Sequence, residues 1–321
     1  GTPNFAAHGG FCSVNMAAGG IYTIGGAFWE FGSPDWDLTE IFVLFGVAED
    51  HDSNPIKMGL GKLKTRGKRV VSVNPVQTGY AAISDDWYGI TPGTDGLFIL
   101  SLIRELMLSG NIDVDYLSRY TNAPWLVIRN PGKANDGLFL RDADGKPQMI
   151  DRATGKAVAH DAAGAKRHLQ GEIKLPDGGV AVPSFMLMAE AYLDDAYAPE
   201  TVADRIGIPA ARVRQLAADL AEAAFAKQIT IKQPWTDWKG ERHEEMIGRP
   251  VSMHAMRGIS AHSNGFQTCR ALHVLQLILG SVEVPGGFRF KPPYPKPPHV
   301  HPKPAGRPDQ VAPGQPMAGA P

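Results

Sequence analysis

Two short apolar runs set the frame of this chain. Ile41 to Val47 is a continuous apolar stretch of strand length, and Arg69-Val70-Val71-Ser72-Val73 is a second, with a segment able to form a helix, Asn54 to Thr65, between them. An unbroken apolar run this short, rather than an alternating one, is what a strand covered on both faces of a parallel sheet requires. Asp95 to Leu108 then reads as a strongly apolar helix. The rhythm of strand, helix and strand predicts an α/β fold: a mostly parallel sheet with helices on both faces.

Around this frame the texture divides the chain into five stretches. Residues 1–37 carry Gly9-Gly10, Gly19-Gly20, Gly25-Gly26 and Phe28-Trp29-Glu30-Phe31. This is too apolar for a linker and too glycine-rich for a regular helix, and it suits backbone packed against a large ligand. Residues 38–128 form the first part of the α/β unit. Residues 129–184, punctuated by Asp144-Gly145, Thr154-Gly155 and Asp177-Gly178-Gly179, read as a hairpin-rich insertion. In 185–290 helices resume and the chain returns to the α/β core. Here Ile208 to Phe225 is an amphipathic helix with Pro209 near its first turn, Ile229 to Lys232 is a strand, and a last helix runs from about Asn264 to Leu279, stopping at Gly280. Cys269 falls on that last helix as a core residue. Residues 291–321, with Pro292-Pro293 and Pro297-Pro298, read as an extended proline-rich arm.

Composition excludes several classes. With 32 basic against 33 acidic residues and a net charge of -1, nothing favours a nucleic-acid partner. Two distant cysteines make no disulfide framework and point to a reducing compartment or a metal role. The longest apolar runs fall short of the roughly 20 residues that span a bilayer, so no transmembrane segment is expected. The chain opens at Gly1-Thr2-Pro3 without an initiator methionine, and we expect it to be an internal fragment of a longer protein.

Candidate binding positions follow from the loops after the strands, because ligands of open α/β sheets bind outside the carboxyl ends. The first strand runs into Gly46 and then Glu49-Asp50-His51-Asp52-Ser53-Asn54-Pro55; this polar burst reads equally as a nucleotide loop or a helix-cap cluster. Asn74 follows the second strand. Asp95 opens the apolar helix after Pro92-Gly93-Thr94, where a carboxylate can cap the helix or accept hydrogen bonds from a guanine edge. Cys12, in Phe11-Cys12-Ser13-Val14-Asn15, is a small buried hydrophobe or a soft thiolate ligand for a transition metal.

The order of these blocks resembles the molybdopterin oxidoreductases of the dimethyl sulfoxide reductase type, whose core is Rossmann-like. The resemblance rests on Arg69 to Pro75, Asp86-Trp87 and Pro92-Gly93-Thr94-Asp95, followed far downstream by Arg257-Gly258-Ile259-Ser260-Ala261-His262-Ser263-Asn264-Gly265, Cys269-Arg270-Ala271-Leu272 and Gly280 to Gly287. It implies molybdenum, or tungsten, held by two molybdopterin guanine dinucleotides, with Cys12 as the protein ligand to the metal. Gly46, Asp50, Asn74 and Asp95 would hold a guanine nucleotide portion, and Gly258, His262 and Asn264 would lie near the pterin and substrate pocket. The family commonly has aspartate where this chain has Asn74; the amide keeps an acceptor, adds donors and removes charge. A [4Fe-4S] cluster is expected in an amino-terminal segment that this sequence lacks.

Within the family, His8 to Asn15, Phe45 to Pro55 and Trp235-Thr236-Asp237-Trp238 are similar to catalytic subunits that oxidise sulfite or reduce thiosulfate, tetrathionate or polysulfide. Formate dehydrogenases usually place histidine after the metal-binding residue, where this chain has Ser13. A metal-free structural homologue is the third reading, against which the retained Cys12 stands. Sulfite has a lone pair on sulfur and gives up two electrons on gaining oxygen, so the pocket must attract an anion. Arg257, His262 and Arg270 are candidates, with cofactor phosphate as the alternative partner of the arginines. The resemblance further implies an iron-sulfur partner subunit with a membrane-anchor subunit, and a cytoplasmic, membrane-associated location, periplasmic being the alternative.

Overall fold

The computed structural model describes residues 14–25, 33–47, 55–255 and 257–289. The expectations for Cys12, Asp50 and the arm from 291 to 321 lie outside the described residues.

The chain begins with α1 (Asn15–Ile24) and β1 (Ser33–Pro34), then enters the core through β2 (Ile41–Phe45), α2 (Pro55–Thr65), β3 (Arg69–Val73), α3 (Tyr80–Ile83), β4 (Asp86–Tyr88) and α4 (Asp95–Leu108). After α5 (Val114–Tyr120) comes an antiparallel excursion of β5 (Leu126–Arg129), β6 (Gln148–Ile150), β7 (Ala157–Ala159), β8 (Ile173–Lys174) and β9 (Val180–Pro183). Helices α6 (Ser184–Tyr192), α7 (Pro199–Ile206) and α8 (Ala210–Ala221) follow, then β10 (Ile229–Ile231), β11 (Trp235–Thr236), β12 (Arg242–His243), β13 (Met246–Gly248) and β14 (Val251–Ala255). The described chain closes with α9 (Arg257–Ser260), α10 (Gly265–Ile278) and β15 (Phe288–Arg289), the last pairing antiparallel with β1.

Four strands make one parallel sheet in the order β14, β2, β3, β4. Every residue of β2 is buried, which explains its unbroken apolar sequence: Ile41, Val43 and Phe45 join a core with α1, α4, α8 and α10, while Phe42 and Leu44 join a second core with α2. Each such buried side chain contributes about 1.5–3 kcal/mol relative to an exposed one. The sheet therefore carries helices on both faces. From β2 the chain steps outward through β3 to β4, whereas β14, some 200 residues later, docks on the other side of β2. That reversal makes the gap between β2 and β14 the topological switch point.

The excursion is antiparallel throughout, with β6 against β7 and β5, β9 and β8 side by side. Ile229–Ile231 is a strand, as expected; it pairs antiparallel with β13, and the return to the parallel sheet is made by β14. One expectation needs correction: the glycine-rich opening is a regular helix over Asn15–Ile24, ended by Gly25 in the left-handed conformation. The glycines do not prevent the helix, because tertiary packing selects them: Gly19 and Gly20 are buried, and a Cβ on Gly19 would stand 2.9 Å from Cβ of Cys269. Cys269 is fully buried on α10, as expected of a core residue.

Gly19→Ala should therefore force α1 away from α10 and cost about 1–3 kcal/mol. Gly61→Ala, on α2, places its methyl in open space and should gain roughly 0.5–1 kcal/mol from helix propensity. Thermal denaturation of the two variants checks the opposite signs.

Candidate functional site

Three of the sequence-predicted positions follow strands at the same, carboxyl end of the sheet. The registers align Ala255, Phe45 and Val73 in one row, so Gly46 and Asn74 leave the sheet together and Arg257-Gly258 lies two steps beyond β14. Gly46 donates its N–H to Val73 O (2.9 Å), and Asn74 donates its own to Tyr88 O (3.1 Å) while its carbonyl accepts from Trp87 Nε1 (2.8 Å). Asp95, in the first turn of α4, follows β4 through the Pro92-Gly93-Thr94 turn to the same end. Asp50 lies outside the described residues.

The two sequence blocks meet at the switch point. A Cβ on Gly258 would stand 2.5 Å from the carbonyl oxygen of Gly46 and 2.8 Å from its Cα, and Gly46 has φ of 63°. Only glycine at both positions lets the loops after β2 and β14 touch backbone to backbone. Arg257 opens α9 beside this contact. His262 donates from Nε2 to Gly258 O at 2.8 Å; a carbonyl can only accept, so the bond fixes the proton on Nε2 and leaves Nδ1 as the acceptor in the neutral ring. That Nδ1 lies 3.8 Å from where a Cβ on Gly93 would be, which brings the second block beside the Pro-Gly-Thr-Asp turn. Asn264 is exposed and caps α10 without a side-chain hydrogen bond, so its amide is not used by the helix.

Asn15 is a residue the sequence reading missed. Its Nδ2 donates to Ser260 O (2.8 Å), and Gly265, whose Cβ would stand 2.8 Å from the same Nδ2, makes room for it. This bond ties the start of α1, three positions after Cys12, to the second block. Strand β14 was missed too, although its signal is present: Val251, Met253 and Ala255 alternate with Ser252 and His254.

That alternation exposes the polar character of the site. Ser72 and His254 flank Leu44 in register on the sheet face that carries α2, and Asn74 follows Ser72 by two residues. Ser72 Oγ, Asn74 Nδ2 and both ring nitrogens of His254 are buried without a hydrogen-bond partner among the described residues. Burial pushes the His254 pKa down to about 4, so the ring is neutral. Asp95, 6% exposed, is held above the usual carboxylate range by burial, against which its own backbone N–H and the nearby His262 act weakly. Orphaned donors and a buried carboxylate beside the strand-end loops fit a bulky polar group carrying hydrogen-bonding edges, as a pterin nucleotide does.

A raised carboxyl pKa destabilises the folded chain once the group is ionised. Its contribution is present below the ordinary 3.8 and is lost as pH rises through the folded value. Asp95→Asn should accordingly melt higher than the parent at neutral pH when both are free of cofactor, and the gap should narrow as pH falls toward 3.8. Melting curves across that range check the sign; a variant that melts lower at neutral pH would show that ionised Asp95 stabilises the fold.

Among the described residues one further group has metal-ligand spacing, Asp237, Glu241 and His243. Glu241 is already held by Arg167 (2.9 Å) and Arg119 (3.3 Å), and Asp237 accepts from His243 (3.1 Å) and the N–H groups of Lys239 and Glu241. Two guanidinium groups on one member disfavour a cation there, and the arrangement is an ion-pair network.

No protein-family model matches the chain. One subunit of the sulfite dehydrogenase of Allochromatium vinosum is 48% identical over the whole chain, which spans 34% of that relative. One subunit of the tetrathionate reductase of Salmonella typhimurium is 23% identical over 89% of the chain and 28% of its own length. The chain thus spans about a third or less of the curated relatives it matches. Among solved structures, acetylene hydratase from Pelobacter acetylenicus matches with a TM-score of 0.52 at 17% identity, over 88% of this chain and 26% of that one, a likeness of fold. With a parallel sheet whose two glycine-bearing blocks meet at the switch point, and with relatives of this kind along its length, the chain belongs to the molybdopterin oxidoreductases of the dimethyl sulfoxide reductase type.

Proposed function

We propose that the full-length protein is the catalytic subunit of an enzyme that oxidises sulfite to sulfate. Family membership implies a molybdenum cofactor, which when bound supplies two-electron oxygen-atom transfer; we take it to be the bis-guanine-dinucleotide form. The observation that carries the substrate is the identity of 48% along the whole chain to a sulfite dehydrogenase subunit. In the net reaction sulfite gains one oxygen from water, two protons leave, and two electrons pass to an iron-sulfur partner subunit.

The chain's own residues would divide the work. Gly46 and Gly258, whose backbones touch, would hold the loops after β2 and β14 together at the switch point, against which the cofactor would lie. Asn74 offers its unpartnered Nδ2 and Asp95 its buried carboxylate to the nucleotide portion. His262 would be oriented by the Gly258 carbonyl, and Arg257 and Arg270 would supply charge that attracts an anion. Cys12 would be the soft anionic ligand to the metal. The bond from Asn15 to Ser260 supports that role, because three residues of chain reach at most about 11 Å. We place the assembled enzyme at the cytoplasmic side of a membrane, held there by an anchor subunit; no helix of the described residues is long and apolar enough to cross one.

Replacing Cys12 by alanine in the full-length enzyme should reduce sulfite-dependent reduction of an artificial electron acceptor to background, whereas Cys269→Ala should retain molybdenum and turnover and mainly lower the melting temperature. Full sulfite activity with normal molybdenum content in the Cys12→Ala protein would sink the ligand assignment. Reduction of tetrathionate by a reduced dye, faster than sulfite oxidation by the same preparation, would reverse the proposed direction.

A further inference from the structure

We propose that a cationic groove at the amino end of the parallel sheet docks an acidic segment of a partner polypeptide. Helix α4 starts at the carboxyl end of the sheet and runs 14 residues, about 21 Å, to the opposite end, where α5 follows. Arg249, two residues before β14, pairs with Asp113 at the N-cap of α5 (2.7 Å), which fixes this corner beside the amino ends of the strands. The groove therefore lies across the sheet from Gly46, Asn74 and Gly258, and no part of the proposed chemistry bears on it.

Its main cavity, about 1040 Å³, is walled by α5, the stretch from Arg152 to Arg167 of the antiparallel excursion, and the β11–β12 hairpin. It stands at the upper end of the roughly 300–1,000 Å³ typical of small-molecule pockets. A second cavity of about 530 Å³ shares Asp115, Arg119 and Trp238 with it, but carboxylates of Asp113, Asp115, Asp237, Glu245 and Glu283 line it against Arg119 and Arg249, so the cationic site is the main cavity alone.

Three observations point to the occupant. First, Arg119, Arg152, Lys166, Arg167 and Lys239 line the main cavity against only Asp115, Asp161 and Glu241. Of these carboxylates, Asp161 is taken by Lys146 (2.7 Å) and Glu241 is shared between two arginines. In a chain of net charge -1 this positive surplus is local, and Lys239, held below the usual lysine range by burial and then by the charge of Arg167, is eased by an incoming anion. Second, Trp238 stands 80% exposed on the rim, with the Lys239 ammonium 5.1 Å from its ring centre. Tryptophan and arginine are the residue types that anchor protein interfaces. Third, the proline-rich stretch beyond residue 290 does not complement the groove: it carries Lys291, Lys296, Lys303 and Arg307 against one acidic residue, Asp309. Charge complementarity thus favours an acidic segment from outside residues 1–321, which we take to be a partner's.

The test uses the full-length protein with a fluorescein-labelled peptide of alternating glutamate and glycine, followed by fluorescence anisotropy. We expect binding at low salt that weakens toward about 0.15 M salt, a loss of about tenfold in the Arg152→Glu/Lys166→Glu double variant, and a smaller loss in Trp238→Ala. Melting temperature and sulfite-dependent dye reduction should be unchanged in both variants. Affinity unchanged in the double variant, no binding by the parent, or complete displacement by inorganic sulfate at constant ionic strength would overturn the proposal, the last outcome marking a small-anion site. In the assembled natural complex, amide hydrogen exchange across residues 152–167 and 235–243 should be slower than in the isolated full-length protein; equal rates would overturn it as well.

Discussion

The backbone contact between Gly46 and Gly258 is the constraint on which the site depends. The residues are more than two hundred positions apart, yet a single methyl on Gly258 would overlap the carbonyl of Gly46. The contact is reachable only because β14 pairs in register with β2, placing Ala255 beside Phe45, so that both chains leave the sheet at one level. Everything near the candidate site inherits its position from this meeting: α9 begins there, the Gly258 carbonyl orients His262, and Ser260, two residues on, receives Asn15 from α1.

Much of the frame was legible in the sequence because its signals are strong and local. Strands β2 and β3 are buried on both faces and need apolar residues at nearly every position, which sets them apart from half-buried strands. Helix α4 spans the same residues as expected, Asp95 to Leu108, since a turn of proline, glycine and threonine precedes it and its apolar residues recur at helical spacing. The resemblance carried by Pro92 to Asp95 and Arg257 to Gly265 implies that the two blocks share one pocket; the pairing of β14 with β2 is the physical reason they meet.

What stayed illegible depends on partners distant in sequence. Helix α1 was unreadable because glycine has low helix propensity, and only the close approach of α10 reveals why Gly19 and Gly20 are worth that cost. Strand β14 alternates apolar and polar residues, so its sequence suggests a surface strand, yet Ser252 and His254 are both buried. The groove by α5 draws its charges from three separated stretches and leaves no contiguous basic run to notice. Cys12 and Asp50 lie outside the described residues, and their roles rest on the resemblance and on what surrounds them.

The two ends of the sheet differ in how their charged groups are satisfied, although buried polar atoms without partners among the described residues occur at both, Gln276 near the end of α10 being one. At the amino end, charges are matched within the chain: Asp113 with Arg249, Glu241 with Arg119 and Arg167, Asp237 with His243 and two backbone N–H groups. Such a network holds its shape without help, and its surplus cations remain for something that arrives from outside. At the carboxyl end, Ser72, Asn74 and His254 present buried polar atoms without partners among the described residues, and Asp95 keeps a carboxylate where burial disfavours its charge. Each unsatisfied buried group costs about 1–3 kcal/mol. A ligand that supplied the missing hydrogen bonds at this end would return the stability they cost. Such binding would be coupled to folding, as mass action requires of any ligand that binds only the folded state.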